Sequence, residues 1–501
     1  MIFLKKYWIK LTLTLLILCY SIYFSWFTVL RYQTLYASYF DLGIMHQTVF
    51  NTYKALQTGD YSRFLEFTDP LGSSQIKRMA FHNDIILALL APFYFFSSTP
   101  ATLLVIQTLV VAFGAWAVFL ISQTVFEKLK YKDVLSLTFG FSYLMNPVLQ
   151  RANIYDFHAV TLATTLLLFM FYFWLKKRYY LSFLFLILSL MTKEQVSLTT
   201  AFFGLYVLYS SSLSRSSSRF HSNDKVFSLT VLITSVVWFI GSIFVVIPYF
   251  RGGHHFALAR YSDFGDTPSN VLLGFFKNPL TIIQRVFHPD TYRYLLFLLG
   301  PVGFLSLLSL PVFLIATPEF AINLLSKNWN MRNVIYQYTA VIQPFIFISA
   351  IYGAKAVIDY AKKRHNLKFI EKYIAIYILL ATLIFAVWKG PLPFSFEKNI
   401  HPFVYPQEER VIVREWAAKL KNDNVSVTTT GQLSPFFTNR RYFYNFSPDY
   451  HLADYVVLRL NEIYNYPEKK ILIPVYEQLV RDPNYMPVYQ VENFEVYKKI
   501  K

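Results

Sequence analysis

The chain has 501 residues, of which 55% are hydrophobic and only 15% are charged, and its formal net charge is +18. This composition is too apolar for an ordinary soluble domain and indicates a protein that crosses a membrane several times. The lysines and arginines cluster beside apolar segments, as in cytoplasmic loops of membrane proteins, which argues against nucleic acid as a partner. No GxxxxGK[ST] or GxGxxG sequence is present, so nucleotide-driven transport has no support.

The first apolar segment runs from Trp8 to Leu30 and is long enough to cross a membrane. Lys5 and Lys6 precede it as they would in a signal peptide, but the segment is too long for a signal-peptide core and no small-residue cleavage site follows it. We therefore predict an uncleaved membrane anchor. The single cysteine, Cys19, lies within this segment, so neither a disulfide framework nor a thiolate metal cluster is expected.

Five basic clusters set the predicted orientation, because lysine and arginine concentrate in the cytoplasmic loops of membrane proteins. With all five clusters inside, the N-terminus is cytoplasmic and the C-terminus is extracytoplasmic. The clusters are Lys5/Lys6/Lys10, Lys128/Lys130/Lys132, Lys176/Lys177/Arg178, Arg215/Arg219/Lys225 and Lys362/Lys363/Arg364/Lys368/Lys372.

Between the first two clusters the chain must leave and return once, so only two complete spans fit, residues 8–30 and about 101–126. The apolar segment Asp84–Phe96 lies between them, has only 13 residues and contains Pro92. We therefore predict that it is an interfacial or re-entrant helix within a first outer loop, residues 31–100, and not a span.

Two longer apolar stretches are predicted to turn in the middle. Residues 181–209 are interrupted at Lys193 and Glu194, and a later stretch is interrupted at Gly300–Gly303, where glycine and proline break helices. With both turns, the sequence predicts an all-α polytopic integral membrane protein of about eleven transmembrane helices in the cell (cytoplasmic or inner) membrane. A second large outer loop covers residues 251–291.

The pattern changes near residue 389. An amphipathic segment at 408–420 precedes the strand-like sequences "VSVTTT", "RRYFYNF" and "YVVLRL", then a predicted helix after Pro467 and the strand-like "VYQVENFEVYKK". Alternating helix and strand signals predict a small extracytoplasmic α/β domain. The predicted division is a transmembrane domain, residues 1–388, and a C-terminal domain, residues 389–501.

Acids and histidines collect in the predicted outer segments. Ionisable groups near membrane depth are costly unless they face a cavity, a partner or a substrate. Each one alone is compatible with a structural role such as helix capping, but together they predict a shared outer cavity. The residues are Asp41, His46, His82, Asp84, Asp156, His158, Glu194 and Glu319.

Three pairs of these residues combine a carboxylate with an imidazole. Such a pair can bind a divalent metal such as Mg²⁺ or Mn²⁺, or its members can orient one another for proton transfer. Both interpretations stay open, with a metal expected at the third pair if one binds. The pairs are Asp41 with His46, His82 with Asp84, and Asp156 with His158.

Several segments together resemble a family of prokaryotic predicted membrane proteins that is grouped with the GT-C glycosyltransferases, enzymes that take sugar from a polyprenyl-phosphate carrier. The resemblance covers roughly residues 39–350 and follows the motif order of the family. The segments are "YFDLGIMHQTVFN", "FHNDIILALLAPFY", "YDFHAVTLATTLLLF", "LMTKEQVSL" and "LPVFLIATPEFAINLLS".

The resemblance implies a GT-C-like fold and a catalytic base or acceptor-orienting acid early in the first outer loop, at the position of Asp41. It also implies a second acidic site at Asp156, interfacial helices in the first outer loop and an outer C-terminal domain. One departure is Gln337-Tyr338, where a histidine is expected before the tyrosine, so a histidine role there has no support.

The implied activity is transfer of a sugar from a polyprenyl-phosphate donor to an extracytoplasmic acceptor, which would be a glycan, a lipid or a protein of the cell envelope. The leaving lipid phosphate requires a metal or cationic side chains. A transporter or flippase of a lipid-linked substrate is the alternative, because intramembrane charges and broken helices serve transport equally well. The cationic candidates for the phosphate are Arg332, Lys193, Arg151 and Lys327.

Overall fold

The computed structural model describes residues 2–213, 218–365, 367–397, 407–465 and 469–500, which are mostly helical. Shorter apolar helices at Ala159–Leu175, Tyr179–Leu190 and Leu310–Leu325 accompany five helices that are long and apolar enough to cross a membrane. The chain is therefore a multi-pass membrane protein, as predicted, and the count of eleven spans stays a prediction. The five long helices are Tyr7–Gln33, Pro100–Val125, Ser222–Arg251, Gln343–Arg364 and Ile370–Lys389.

One apolar core joins helices from both halves of the membrane-embedded part of the chain. Residues Phe345–Ile348 have no exposed surface, so the helix that carries them lies at the centre of this core. In chain order the helices are α1 (Ile2–Gln33), α2 (Ile44–Thr58), α3 (Leu87–Leu90), α4 (Pro100–Val125), α5 (Lys132–Met145), α6 (Pro147–Ile154), α7 (Ala159–Leu175), α8 (Tyr179–Leu190), α9 (Val196–Leu213), α10 (Ser218–Ile240), α11 (Ile247–Arg251), α12 (Pro268–Lys277), α13 (Pro279–Val286), α14 (Pro289–Leu299), α15 (Leu310–Phe313), α16 (Thr317–Leu325), α17 (Gln343–His365) and α18 (Ile370–Lys389).

The predicted helix breaks are confirmed. Lys193 and Glu194 lie in the turn between α8 and α9, and a 3₁₀ turn at Gly300–Val302 ends in Gly303, whose φ is +62°. A Cβ atom at Gly303 would lie 2.3 Å from the Tyr377 ring, so both the left-handed conformation and the close approach require glycine. The Asp84–Phe96 segment forms only α3 and a 3₁₀ turn, which confirms that it contains no long helix.

The C-terminal part contains the predicted mixture of helices and strands. A five-stranded sheet has the strand order β4-β3-β5-β7-β6, with β3 parallel to β4 and β5 and with β7 antiparallel to β5 and β6. A separate antiparallel pair, β1 (Glu66–Thr68) and β2 (Gln75–Lys77), lies in the first outer loop. The C-terminal elements are α19 (Gln407–Lys419), β3 (Val427–Thr429), α20 (Ser434–Phe437), β4 (Phe443–Asn445), β5 (Tyr455–Arg459), α21 (Leu460–Asn465), α22 (Lys469–Arg481), β6 (Tyr485–Val491) and β7 (Phe494–Lys499).

The C-terminal sheet packs against the first outer loop and shares a core with it. Tyr39 and Phe67 from the loop are buried in one cluster with Trp416 and Phe443 from the C-terminal part. The buried Gln47 side chain also donates a hydrogen bond of 3.0 Å to the backbone carbonyl of Arg441. The two parts therefore hold each other in place, and the predicted boundary at residue 389 stays a prediction.

The strongest ionic contact across this junction leads to a stability prediction. Arg441 donates to both carboxylate oxygens of the nearly buried Glu66, at 2.8 and 3.1 Å. We expect Arg441→Met to destabilise the junction by about 1 to 3 kcal/mol, because Glu66 loses its charged partner. The measurement is the thermal unfolding midpoint of the purified chain in detergent.

Arg481→Met provides the matched control, because Arg481 is exposed at the end of α22 and forms no ion pair with any described residue. Equal midpoints for the two variants would show that the Arg441–Glu66 contact contributes nothing to the junction.

Candidate active site around Asp41

A cavity of about 280 Å³ opens between the first outer loop, the α6–α7 connection and the segment before α17. We call it the Asp41 cavity. Its lining residues lie up to 298 positions apart in the sequence, from Phe40 to Tyr338. Its polar lining residues are Asp41, Arg78, His82, Asp84, His158, Thr192, Lys193, Arg260, Gln337 and Tyr338.

Asp41 lies in a π-helical turn, Tyr39–Gly43, that precedes α2. The Tyr39 side chain is buried, and its hydroxyl donates to the Thr68 carbonyl at 2.7 Å. The Tyr39 backbone N–H donates to the Gly431 carbonyl at 3.0 Å. The turn is therefore fixed on one side by β1 and on the other by the C-terminal part, which restricts the position of Asp41.

Two side chains hold the Asp41 carboxylate. His158 Nε2 donates to Oδ1 at 2.9 Å, and the Tyr155 hydroxyl donates to Oδ2 at 3.1 Å. Burial raises the pKa of Asp41, but the hydrogen bond and charge of His158 and the Tyr155 hydroxyl outweigh it and bring this pKa below its usual range. Asp41 is therefore ionised at neutral pH, and its side chain keeps 23% of its surface exposed.

Residues on both sides of the α6–α7 connection complete this arrangement. Asn146 caps α6 by accepting hydrogen bonds from the backbone N–H groups of Val148 and Leu149, and Pro147 occupies the first turn, where it needs no donor. Tyr155 follows α6 and His158 precedes α7. Their rings stack with centroids 5.7 Å apart, so the two donors to Asp41 support each other.

Asp156 is a second carboxyl group beside Asp41, with the opposite ionisation tendency. It is buried and accepts a weak hydrogen bond of 3.4 Å from the Ser38 backbone N–H. Burial and the neighbouring Asp41 charge raise the pKa of Asp156 well above its usual range. The structure thus places a carboxyl group whose pKa is lowered on the cavity wall and one whose pKa is raised behind it, a pattern typical of acid–base sites.

Lys193 and Arg260 lie where the Asp41 cavity meets a second cavity. This second, apolar cavity has a volume of about 290 Å³. Both cations and His82 line both cavities. The main apolar lining residues of the apolar cavity are Leu198, Phe239, Ile243, Phe244, Leu272 and Phe275.

Glu194 joins two histidines from different loops. His82 Nδ1 and His255 Nε2 donate to its Oε1 atom at 2.8 and 3.0 Å, and the Asn83 backbone N–H donates to Oε2 at 3.0 Å. Burial alone would raise the pKa of Glu194, but the interactions with His82 and His255 hold it well below its usual range. Glu194 therefore anchors the first outer loop to the α8–α9 turn.

Among the residues that the structure describes, His82, Glu194 and His255 form the group whose ligand atoms lie close enough together to hold a metal ion. However, His255 Nδ1 accepts a hydrogen bond from the Ala257 backbone N–H, so the proton of a neutral His255 lies on Nε2 and points to Glu194. Metal-binding histidines normally donate from the second ring nitrogen. The geometry thus fits a hydrogen-bonded triad better than a metal centre. Asp156 and His158, where a metal was predicted, do not belong to this group, and Mg²⁺ or Mn²⁺ binding stays a prediction.

Two sequence pairs of carboxylate and imidazole, Asp41 with His46 and His82 with Asp84, are wrong as side-chain pairs. His46 is buried and contacts the Tyr94 hydroxyl at 2.8 Å, so His158 and not His46 supports Asp41. Asp84 pairs with Arg78, whose Nη2 donates at 2.8 Å, and not with His82. Asp41 lies in the π-helical turn and His46 in α2, and in both pairs contacts with distant parts of the chain decide the pairing.

The remaining candidates divide between sites. Glu319 is buried and accepts a hydrogen bond of 2.5 Å from Gln195. Arg151 and Arg332 line a third cavity. Lys327 pairs with Asp263 and lies outside the lining of all three cavities. Only Lys193 of the four cationic candidates lines the Asp41 cavity.

Four residues of the site were missed in the sequence. Tyr155 stands directly before the predicted Asp156, and His255 belongs to the pair "HH" in the second outer loop, so both had a local signal. Arg78 and Arg260 stood among other loop arginines and had none.

Comparisons with known proteins agree with this architecture. A family model described as "Predicted membrane protein (DUF2079)" matches residues 31–495. ArnT from Cupriavidus metallidurans, solved bound to undecaprenyl phosphate, has a similar fold with a TM-score of 0.53 and 10% identity, over 97% of each chain. The oligosaccharyltransferase AglB from Archaeoglobus fulgidus, solved with an inhibitory peptide and a dolichol-phosphate, gives a TM-score of 0.47 and 11% identity over 99% of this chain and 74% of that chain. No curated protein matches the sequence.

The raised pKa of Asp156 leads to a prediction about pH. The folded protein holds the Asp156 proton more tightly than the unfolded chain, so wild-type stability falls as pH rises from about 4, the usual carboxyl pKa, towards the raised value. Asp156→Asn carries no titrating proton there. We expect the unfolding midpoint of Asp156→Asn, relative to wild type, to increase steadily as pH rises through this window.

Asp359→Asn, at an exposed position in α17, serves as the control for the substitution itself. A difference between Asp156→Asn and wild type that stays constant with pH would mean that Asp156 is ionised in the folded protein.

Proposed function

The chain belongs to the DUF2079 family of predicted membrane proteins, and we propose that it is a membrane glycosyltransferase. It transfers a sugar from a polyprenyl-phosphate-linked donor to an extracytoplasmic acceptor, which is a glycan, a lipid or a protein. The observation that carries this proposal is the ionised Asp41, oriented by His158 and Tyr155 on the wall of a polar cavity. That cavity continues past two cations into an apolar one.

The two joined cavities suit the two halves of a lipid-linked donor. An isoprenoid chain is apolar, so its removal from water into the apolar cavity lowers the free energy of the complex. Its phosphate then reaches Lys193 and Arg260 at the junction, which supply positive charge. The sugar extends from there into the Asp41 cavity. ArnT, a GT-C glycosyltransferase of similar fold, was solved with a lipid of this class, undecaprenyl phosphate.

The chemistry is a single displacement at the anomeric carbon. Asp41 accepts the proton of an acceptor hydroxyl while that oxygen forms its bond to the anomeric carbon. The bond between that carbon and the phosphate oxygen breaks at the same time, and the lipid phosphate leaves with the electron pair. Lys193 and Arg260 stabilise the negative charge that develops on the phosphate. Attack opposite to the leaving group inverts the configuration of the sugar.

Asp41→Asn tests the role of the base. The amide keeps the shape and one hydrogen-bond acceptor but takes up no proton, so we expect transfer to fall by roughly 10²- to 10⁴-fold. The assay incubates the purified, reconstituted chain with radiolabelled polyprenyl-phosphate sugars and mixed acceptors. Expression and membrane insertion should equal those of Asp359→Asn, whose carboxylate lies outside the cavity. Undiminished transfer by Asp41→Asn would remove Asp41 from the mechanism.

Lys193→Gln tests recognition of the lipid phosphate. We expect the dissociation constant for a sugar-free polyprenyl phosphate to rise about tenfold, because one charge-assisted contact is lost. Binding of the uncharged polyprenol should stay the same, since it carries no phosphate for the Lys193 ammonium group to contact. Equal weakening for both lipids would instead assign Lys193 a structural role.

A transporter or flippase of the same lipid is the alternative, and the turns inside apolar stretches at 191–195 and 300–304 are compatible with it. Reconstituted vesicles separate the two functions. Movement of labelled donor between leaflets without formation of a glycosylated acceptor would support transport.

A further inference from the structure

A third cavity, of about 350 Å³, carries an unusual concentration of cations. We call it the arginine cavity. It lies among α6, α14, the segment before α17 and the end of α18. Its charged lining residues are Arg151, Arg293, Arg332 and Lys389, opposed by only Asp290 and Glu397.

Arg332 is the most telling of these residues. Only 4% of it is exposed, and Nη2 donates to the backbone carbonyls of Leu324 and Ser326 at 2.6 and 3.2 Å. Among the described residues, Nε and Nη1 have no hydrogen-bond partner. The guanidinium lies 4.4 Å from the centre of the Trp329 ring, which is a cation–π contact. A buried guanidinium with two nitrogens that lack hydrogen-bond acceptors is costly.

Arg151 also has a buried guanidinium that is not fully hydrogen-bonded. It is 3% exposed, and Nε donates to the Lys389 carbonyl at 2.5 Å. Nη2 lies 3.6 Å from a Glu397 carboxylate oxygen, which is beyond hydrogen-bond distance, and it has no hydrogen-bond partner within the described chain. Glu397 also forms an ion pair with Lys389. The carboxylate of Glu397 thus accepts a hydrogen bond from Lys389 and leaves Arg151 Nη2 without one.

We infer that the arginine cavity binds a phosphate-type dianion. Guanidinium groups match phosphate oxygens in charge and geometry, and unpaired N–H groups from Arg332 and Arg151 supply donors from two elements. A phosphate dianion carries two negative charges and a carboxylate carries one. The phosphate therefore competes with Glu397 for these cations more effectively than a carboxylate ligand would. The phosphate of the proposed donor has its own cations at Lys193 and Arg260, and these do not line the arginine cavity.

The position of the cavity indicates what the anion belongs to. Arg151 and Tyr155 are one helical turn apart along α6, which is roughly 6 Å along the axis, and Tyr155 donates to Asp41. Tyr155 packs edge-on against Tyr336, with ring centroids 4.6 Å apart. Ile335 lines the arginine cavity, whereas Gln337 lines the Asp41 cavity. Tyr155 and Tyr336 thus lie between residues that line the two cavities, and on the proposed function the phosphate is a group of the acceptor.

Binding is measured on the full chain in detergent, independently of any transfer reaction. The probes are inorganic phosphate and dihexanoyl phosphatidic acid, with chloride of equal ionic strength and dihexanoyl phosphatidylcholine as their respective controls. We expect saturable binding of phosphate probes, and preference for one of the two separates a free phosphate from a lipid phosphate. Arg332→Gln and Arg293→Gln should each raise the dissociation constant about tenfold or more.

Arg293 is exposed, so its variant tests the inference even if Arg332→Gln does not fold. Lys327→Gln removes a charge outside the cavity and should bind phosphate as wild type does. The inference is overturned if neither probe binds, or if Arg293→Gln binds as tightly as Lys327→Gln. Binding that depends on Arg293 in a chain without transfer activity would leave the site in place and count against the glycosyltransferase proposal alone.

Discussion

The hydrogen bonds from His158 and Tyr155 to Asp41 are the contacts on which the candidate site depends. A carboxylate at the boundary of a membrane stays ionised only if donors replace the water that it loses. Here both donors come from one connection, between α6 and α7, and each oxygen of Asp41 receives one of them. The same negative charge then favours the protonated form of Asp156. A single pair of contacts therefore fixes the position of Asp41 and the ionisation of both acids.

The C-terminal sheet contacts the turn that carries Asp41 directly and so helps to position it. In the turn that carries Asp41, the Tyr39 backbone N–H donates to the Gly431 carbonyl. The Tyr39 ring packs against Phe443, with ring centroids 5.0 Å apart. Residues that follow the last membrane helix thus restrain a residue that follows the first one. Since a carboxylate acts as a base only within hydrogen-bond reach of the acceptor, a shift of the sheet would displace Asp41 as well.

Much of the architecture followed from the sequence, because breaks in apolar runs have local causes. Gly303 adopts a left-handed conformation, and the charged residues Lys193 and Glu194 are unfavourable in the middle of an apolar helix. The residue types alone therefore predicted these turns. The C-terminal strands were equally visible from their alternation. The partners of the site residues were not, because His158 reaches Asp41 across 117 positions and His255 reaches Glu194 across 61. Proximity in sequence suggested His46 as the partner of Asp41 and Asp84 as the partner of His82, and the packing of separate loops overrode it.

The separation of the cations has a physical consequence for two anionic substrates. Two phosphates that bind near one carboxylate repel it and each other, and a low-dielectric surrounding strengthens that repulsion. Lys193 and Arg260 line both the Asp41 cavity and the apolar cavity, whereas Arg151 and Arg332 line the arginine cavity. Each anion would thus meet its own cations, in a cavity that the other anion does not occupy. In such an arrangement the cations of each cavity offset the charge that its own anion brings, so the binding of both substrates adds less negative charge near the Asp41 carboxylate.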